Sequence, residues 1–211
     1  MMYTLHWNQG SASLVAHMAL EEVGVPYTLK LVDMDKGEHK TPEYLKINPN
    51  GKVPALALDG GGVMFETNAI AMYLGDRHPQ SGLAPAIADP ARPLYTQWLF
   101  HLTNTIQPLY LLFYYPERHT TNPGHVEEIK AKAMEQIGEA WDRVERCLAA
   151  KGPYMIGDRF SAADLPVVML SHWQQAQPEM LAKRPHLRRL VELVAARQAV
   201  KRVLVQNQLA A

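Results

Sequence analysis

Hydrophobic and polar positions alternate over short distances in the first part of the chain. Residues 3–6 have the composition of a short strand, and residues 27–32 alternate with a period of two, as a half-buried strand does. Between them, apolar residues recur at helical spacing from Ser13 to Gly24, a residue that commonly ends helices because it accepts positive φ angles. The pattern therefore predicts a strand, a helix and a second strand.

A second helix, a hairpin and a third helix are predicted next. Residues 41–43 are typical of a helix start, since a proline at the first helical position sacrifices no hydrogen bond. Two apolar runs flank the glycine-rich residues 59–62, which predicts a hairpin. The helical pattern of residues 67–77 stops before Pro79. The order β-α-β-α-β-β-α predicts a small mixed sheet covered by helices.

The pattern then becomes purely helical after a linker, residues 79–92, which is rich in proline and has no periodicity. Helices are predicted over residues 94–115 with a break or kink at Pro108, over 126–150, 162–175 and 185–196, and in a final short segment. Residues 161–164 predict a capping box. The predicted fold class is α/β plus all-α, with a domain of residues 1–78 and an all-helical domain of residues 93–211.

The composition is that of a folded globular protein. Of the 211 residues, 47% are hydrophobic and 20% are charged, which excludes disordered and fibrous classes. Basic and acidic residues both number 21, so the formal net charge is zero. Since no overall positive field attracts nucleic acid or an anionic membrane, neither is expected as a partner.

Cysteine and histidine usage limits the chemistry further. Cys147 is the single cysteine, which excludes an intramolecular disulfide and a site built from several thiolates. The nine histidines form no HExxH-type pair, and no metal is expected. The first residues lack a basic leader, and no stretch approaches the roughly 18 apolar residues of a membrane span. These features predict a cytoplasmic protein.

Three segments of the chain form a distinctive set. They are residues 41–56, TPEYLKINPNGKVPAL, the pair Glu66 and Thr67, and residues 157–164, GDRFSAAD. The first two resemble the hallmark segment of the cytosolic glutathione transferase family and the pair that follows it at the familiar spacing, and the third resembles the helical capping motif of its C-terminal domain. The resemblance implies a thioredoxin-like N-terminal domain, an α-helical C-terminal domain, glutathione as cosubstrate, a role in detoxification and a homodimer.

The resemblance also implies which residues bind the peptide part of glutathione. In this family the residue before the hallmark proline faces the ligand, and the proline is cis. Val53 is therefore expected to present its backbone N–H and C=O groups, with Pro54 cis; a trans proline that opens a strand is the alternative. Lys52 is the first candidate for binding the glycyl carboxylate, with Lys40 or His39 as further candidates, although each also fits a solvated surface position.

Glu66 and Thr67 stand where the third helix begins. A helix start has unpaired backbone N–H groups that attract anions. Thr67 is therefore expected to bind the γ-glutamyl carboxylate, and Glu66 the ammonium group of the same residue. A plain N-cap role for Thr67 is compatible with this assignment.

The chemistry of the family requires the thiolate of glutathione. Lowering a thiol pKa of ~8.5 by about two units takes roughly 2.7 kcal/mol of preferential interaction with the anion. One hydroxyl donor at a helix N-terminus can supply it. Ser11 is the first candidate for this donor, with Ser13 and Asn8 as alternatives, and all three also fit a turn and a helix cap.

Ala12 marks a departure from one class of the family. Residues 10–14 resemble the bacterial beta-class motif, in which a cysteine occupies the position of Ala12. Because that nucleophile is missing, a mixed disulfide with glutathione is not expected. A serine-type mechanism is favoured instead.

An aromatic-rich helix of the C-terminal domain is expected to line the pocket for the second substrate. The predicted pocket residues are Trp7, Gln107, Tyr110, Phe113 and Tyr114. Ordinary core packing is an equal alternative for each. The predicted reaction is conjugation of glutathione to a small hydrophobic electrophile, with isomerisation, dehalogenation and peroxide reduction left open. The alternative function is a non-catalytic module of the same fold that binds glutathione, other ligands or proteins.

Overall fold

The computed structural model describes residues 2–209, which form two compact units. The first unit contains the described residues up to Arg92 and those from Glu192 onward, and the second unit is Pro93–Val191. Met1, Ala210 and Ala211, at the ends of the predicted domains, lie outside the described residues.

A four-stranded mixed sheet forms the centre of the first unit. Its strands are β1 (Tyr3–Trp7), β2 (Tyr27–Leu31), β3 (Ala55–Ala57) and β4 (Val63–Phe65). The order across the sheet is β2-β1-β3-β4, with β1 parallel to β2 and antiparallel to β3. β3 and β4 form an antiparallel hairpin. The predicted mixed sheet and hairpin are confirmed.

The helices of the described chain run as follows. In order they are α1 (Ser13–Val23), α2 (Pro42–Leu45), α3 (Thr67–Arg77), α4 (Arg92–His101), α5 (Gln107–Tyr114), α6 (Val126–Lys151), α7 (Leu165–His172), α8 (Gln177–Ala182), α9 (Pro185–Ala195) and α10 (Gln198–Gln206). The predictions of α1, α2, α3, α6 and α9 are confirmed to within a residue or two. With the sheet, these helices give the expected thioredoxin-like domain and all-helical domain.

Helices α1 and α3 pack against each other and form much of the core of the first unit. Leu14 of α1 and Ile70 and Leu74 of α3 are almost fully buried. Burial of each such side chain stabilises the fold by about 1.5–3 kcal/mol. α1 ends at the predicted Gly24, which has a φ angle of 68° and donates its N–H to a carbonyl one turn back.

The last helix, α10, packs against α1 within the first unit. Its inward face buries Ala199, Val200, Val203 and Leu204. Two nitrogens of Arg197 donate to the two carboxylate oxygens of Glu22, each at 2.7 Å. Arg202 Nε donates to Glu21 at 2.7 Å. The predicted domain of residues 93–211 is therefore longer than the second compact unit, because the apolar face of α10 is buried on α1.

A buried histidine on α1 makes the stability of the first unit depend on pH. His17 is fully buried, with Nε2 3.0 Å from Tyr27 Oη, and Tyr27 donates in turn to Glu21. Burial lowers the pKa of His17 to about 4, against a smaller opposing effect of the Glu21 carboxylate. Between the ordinary value of 6.5 and about 4, the unfolded chain binds a proton here and the folded chain does not.

We therefore expect the free energy of unfolding to fall as the pH is lowered from 6.5 to 4, by up to about 1.4 kcal/mol per pH unit from this residue. Urea denaturation across this range measures the slope. His17→Gln should flatten it, whereas His119→Gln, a change at an exposed histidine, should leave it as in the wild type. Equal slopes in the wild type and in His17→Gln would contradict the assignment.

In the second unit, α4 and α5 are separated at the predicted break. Pro108 has no N–H to donate to the carbonyl of Asn104 one turn earlier. A π-helical turn, Leu102–Ile106, lies immediately before it. The prediction of a break or kink at Pro108 is confirmed.

The residues of the predicted capping box bond to each other in the turn ahead of α7, although Asp164, and not Ser161, is the residue that precedes the helix. The Ser161 N–H donates to the Asp164 carboxylate at 2.7 Å, and the Ala163 N–H donates to Ser161 Oγ at 3.3 Å. The other oxygen of the Asp164 carboxylate accepts the N–H of Met155 at 2.8 Å. Because the fully buried carboxylate of Asp164 accepts both N–H groups, it joins the turn at Met155 to the segment that leads into α7.

Two helical segments differ from the prediction. α7 is shorter than the predicted helix over residues 162–175, because residues 162–164 form a turn ahead of it. α8 was not predicted, since its apolar positions, Met180 and Leu181, are too few to reveal a helical period.

Candidate functional site

The loop between β1 and α1 carries the residues predicted to activate the thiol. Asn8 Nδ2 donates to the carbonyl of Val32 at 3.0 Å, and the Val32 N–H donates to the carbonyl of Trp7 at 2.8 Å. These bonds tie the loop to the residue that follows β2. The sheet therefore sets the position of the loop, and the amide of Asn8 is used to anchor it.

Two serine hydroxyls converge on the carbonyl oxygen of Asn8. Ser11 Oγ lies 2.7 Å and Ser13 Oγ 2.9 Å from this oxygen, and the two hydroxyl oxygens are 2.7 Å apart. Ser13 Oγ also accepts the N–H of Asn8 at 3.2 Å. The Ser13 N–H, in the first turn of α1, donates to Ser11 Oγ at 3.2 Å.

Burial distinguishes the two serines. The Ser13 side chain is fully buried and bonds the N–H and carbonyl of Asn8, which fits the alternative interpretation of a turn residue, whereas its hydroxyl does not cap α1. Ser11 is half-buried. Ser11 therefore combines partial exposure of the residue with a position just ahead of α1.

Two buried side chains that were not predicted hold the segment before Pro54. The peptide bond between Val53 and Pro54 is cis, as the resemblance implied. Tyr44 Oη and Asn48 Nδ2 both donate to the carbonyl of Lys52, at 2.8 and 2.7 Å. Burial raises the pKa of Tyr44 to about 12, which keeps its phenol protonated as a donor. Both residues belong to the hallmark-like segment, which was the available signal.

Gly51 makes a close turn next to Lys40. Its φ angle is 57°, and a Cβ at this position would lie 2.9 Å from the carbonyl oxygen of His39 and from Lys40 Nζ. Lys40 Nζ donates to the Gly51 carbonyl at 3.0 Å. The structure thus anchors the exposed Lys40 on the backbone of this turn, whereas Lys52 projects from an exposed position.

Glu66 and Thr67 begin α3, as predicted. Glu66 has φ 72° and ψ 108°, a conformation that costs a non-glycine residue about 1–3 kcal/mol and is concentrated at functional sites. Thr67 is buried, and its Oγ1 donates to the carbonyl of Ala12 at 2.7 Å. The sequence predicts that Thr67 binds an anion. In the structure its hydroxyl proton is instead donated to the loop that carries Ser11, and this bond links α3 to that loop.

The predicted pocket residues of the second unit divide into two groups. Tyr110 is only 1% exposed; its hydroxyl donates to Gln174 Oε1 at 2.9 Å and accepts from Trp141 Nε1 at 2.9 Å. It is a core residue, so its assignment to a substrate pocket is corrected. Phe113 and Tyr114 line a cavity of about 490 Å³.

The remaining predicted pocket residues are half-buried. Gln107 lies at the start of α5, and its Oε1 has no hydrogen-bond partner within residues 2–209. Trp7 lies in the first unit, with its ring centroid 5.8 Å from that of His17. Besides Phe113 and Tyr114, the cavity is lined by Glu127, Lys130, Ala131, Met134 and Gln175.

Residues 2–209 contain neither a cluster typical of a metal site nor a helix typical of a membrane span. In this range, no group of three or more histidine, cysteine, aspartate and glutamate side chains has the arrangement of a metal site. No helix within the same range combines the length and the hydropathy needed to cross a membrane.

Comparison with known proteins gives a consistent result. Sequence models described as glutathione S-transferase, N-terminal domain, and glutathione S-transferase, C-terminal domain, match residues 11–77 and 103–207. Glutathione S-transferase 3 of Zea mays is 32% identical over 194 residues, which cover 88% of this chain and 85% of the maize protein. Maleylacetoacetate isomerase of Pseudomonas aeruginosa is 30% identical over 98% of this chain and 96% of its own.

A solved structure extends the similarity to three dimensions. The crystal structure of a glutathione transferase homologue from Sulfitobacter, with bound glutathione, superposes with a TM-score of 0.90. The two sequences are 29% identical, and the match covers 99% of each chain. The sequence and the fold of this chain therefore both match proteins described as glutathione transferases, and the matches cover most of this chain and most of each of those proteins.

Proposed function

Because the chain belongs to the glutathione S-transferase family and is a glutathione S-transferase, we propose that it joins the glutathione thiolate to a small hydrophobic electrophile. The observation that carries this proposal is the half-buried Ser11 hydroxyl at the N-terminus of α1. In a substitution, the thiolate sulfur forms a bond to an electrophilic carbon while the bond from that carbon to the leaving group breaks, and the leaving group departs with the electron pair. In an addition, the sulfur forms its bond to one carbon of an activated double bond, the π pair shifts onto the activating group, and a proton from water completes the product.

Ser11 is proposed to donate its hydroxyl proton to the thiolate. In the protein without substrate this proton is directed to the Asn8 carbonyl, which Ser13 Oγ also contacts. The carbonyl therefore keeps a donor when Ser11 turns toward sulfur. A hydrogen bond to a charged acceptor contributes about 1.5–3 kcal/mol, which corresponds to about one to two units of thiol pKa.

The peptide part of glutathione is proposed to bind at three places in the first unit. Val53 offers its backbone N–H and C=O groups beside the cis bond to Pro54. Glu66 and the backbone N–H of Thr67, at the positive end of α3, suit the ammonium and carboxylate groups of the γ-glutamyl residue. The ammonium groups of Lys40 and Lys52 suit the glycyl carboxylate.

The electrophile is proposed to contact an apolar surface that includes Phe113 and Tyr114. Their rings are perpendicular, with centroids 5.1 Å apart, and they line the cavity of the second unit. Gln107, half-buried at the start of α5, is a further proposed contact, and its Oε1, which is buried without a hydrogen-bond partner among the described residues, would have to turn outward to accept a bond from a polar group. The assignment of Trp7, in the first unit, stays a prediction from the sequence.

Isomerisation of a small unsaturated acid is a second candidate activity. The Pseudomonas relative named maleylacetoacetate isomerase covers nearly the whole chain at 30% identity. A glutathione thiolate that adds to a double bond and is later expelled would catalyse this reaction with the same residues. A non-catalytic binding role is not favoured, because the full-length relatives named above are enzymes.

Oligomeric state and location follow from the family resemblance. We propose that the protein is a homodimer in the cytoplasm, with no nucleic acid or membrane as partner. The zero net charge supports the expectation of no nucleic acid or membrane partner, and the single cysteine supports the cytoplasmic location, whereas the dimer rests on the resemblance alone.

The experiment that tests the proposed function is a titration of the thiolate absorbance of glutathione bound to the protein. We expect a bound thiol pKa about two units below the free value of ~8.5. S-methylglutathione, which has no thiol, is the control ligand and should bind without this signal. Glutathione that binds with an unchanged thiol pKa would contradict the enzymatic mechanism and favour a binding module.

A further inference from the structure

Asn207, at the end of α10, is bonded directly to the loop that carries Ser11. Its Oδ1 accepts the N–H of Gly10 at 3.2 Å, and its main-chain carbonyl accepts Gln9 Nε2 at 3.0 Å. Its Nδ2 donates to the carbonyl of Val203 at 2.9 Å, so the carboxamide is bonded at both ends. Asn207 is 1% exposed. A residue 197 positions away in the sequence therefore fixes the backbone next to Ser11.

The end of α10 is a rigid support for this contact. The N–H of Leu209 donates to the carbonyl of Leu204 at 2.9 Å, which closes the helix end. Gln208 has a φ of 55°, a left-handed conformation usually taken by glycine at this place. A non-glycine residue keeps such a conformation only where its surroundings impose it.

We propose that Asn207 is a positioning residue for thiol activation. By holding the backbone of Gly10 and the side chain of Gln9, it sets the place of the Ser11 hydroxyl relative to the sulfur of bound glutathione. Hydrogen bonds weaken steeply as their geometry departs from linear, so a small displacement of this loop reduces stabilisation of the thiolate. This inference rests on the proposed role of Ser11.

The decisive variant is Asn207→Ala, which removes the acceptor of the Gly10 N–H. We expect the thiol pKa of bound glutathione to rise by about 0.5 to 1 unit, and kcat at neutral pH to fall about 1.5- to threefold with the thiolate fraction. The KM for glutathione should rise no more than about threefold, because the proposed peptide contacts lie elsewhere. Val200→Ala, a cavity in the buried face of the same helix, is the control for lost stability and should leave the thiol pKa unchanged.

A second variant keeps the test valid if Asn207→Ala folds poorly. Gln9 is exposed, so Gln9→Ala should fold, and it removes the bond to the Asn207 carbonyl. A smaller rise in thiol pKa is expected. Hydrogen exchange of the Gly10 amide provides a readout without catalysis and should become faster in Asn207→Ala but not in Val200→Ala.

The outcomes separate this inference from the proposed function. Faster exchange at Gly10 with an unchanged thiol pKa would overturn the positioning role and leave the role of Ser11 intact. A thiol pKa that rises equally in Val200→Ala would overturn it as well, since general destabilisation would then explain the effect. If the wild type itself leaves the thiol pKa at its free value, the proposed function fails first, and the positioning role fails with it.

Discussion

Ser11→Ala should raise the thiol pKa of bound glutathione by about one to two units and lower kcat/KM at neutral pH about 10- to 100-fold. The variant removes the one half-buried hydroxyl at the N-terminus of α1, and a hydrogen bond to a charged acceptor contributes about 1.5–3 kcal/mol. Because the anion is the reactive form, the rate profile should shift to higher pH by the same amount. Steady-state kinetics from pH 5.5 to 9 and the thiolate titration measure the two effects independently.

Two matched variants make this test specific. Ser11→Thr keeps a hydroxyl and should restore most of the lost thiol acidity. Ser13→Ala removes a fully buried hydroxyl that bonds the N–H and the carbonyl of Asn8, so it should lower stability more than it raises the thiol pKa. If Ser13→Ala shifts the thiol pKa and Ser11→Ala does not, Ser13 is the donor, and the assignment by burial is wrong.

The fold of the first unit was predictable because its elements are delimited by residues with strong local preferences. Gly24 ends α1, Pro42 begins α2, and Pro79 stands just past α3. In contrast, the packing of α10 on α1 depends on contacts between residues 175 or more positions apart, such as Arg197 with Glu22. Local periodicity contains no information about such a contact, so the boundary of the compact unit could not be read from the sequence.

The sequence was sufficient to predict which segments form the candidate site, but not which role each residue has within it. Ser11 and Ser13 have the same side chain two positions apart, and only the folded loop makes one buried and the other accessible. Phe113 and Tyr114 follow Tyr110 at a spacing of three and four residues, which is typical of one helix face. Only the structure shows that the Tyr110 hydroxyl is hydrogen-bonded inside the second unit. An aromatic residue on a helix fits a core and a pocket equally well, so burial has to decide.

The buried carboxylate of Asp164 is expected to contribute strongly to the stability of the second unit. It accepts the N–H groups of Ser161 at 2.7 Å and Met155 at 2.8 Å. Asp164→Ala leaves both buried donors without this acceptor, and each unsatisfied group costs about 1–3 kcal/mol. We therefore expect the free energy of unfolding to fall by about 4 kcal/mol, measured by urea denaturation and by the melting temperature.

The chain provides a matched control for this effect in Asp158, which lies six residues earlier and is exposed. Asp158→Ala should change stability by no more than about 0.5 kcal/mol, as is usual for surface substitutions. Asp164→Asn keeps one carbonyl acceptor but turns an NH₂ group toward the other N–H, so about half of the loss should remain. Similar melting temperatures for Asp164→Ala and Asp158→Ala would mean that the two backbone N–H groups find other acceptors, and that the start of α7 does not depend on this carboxylate.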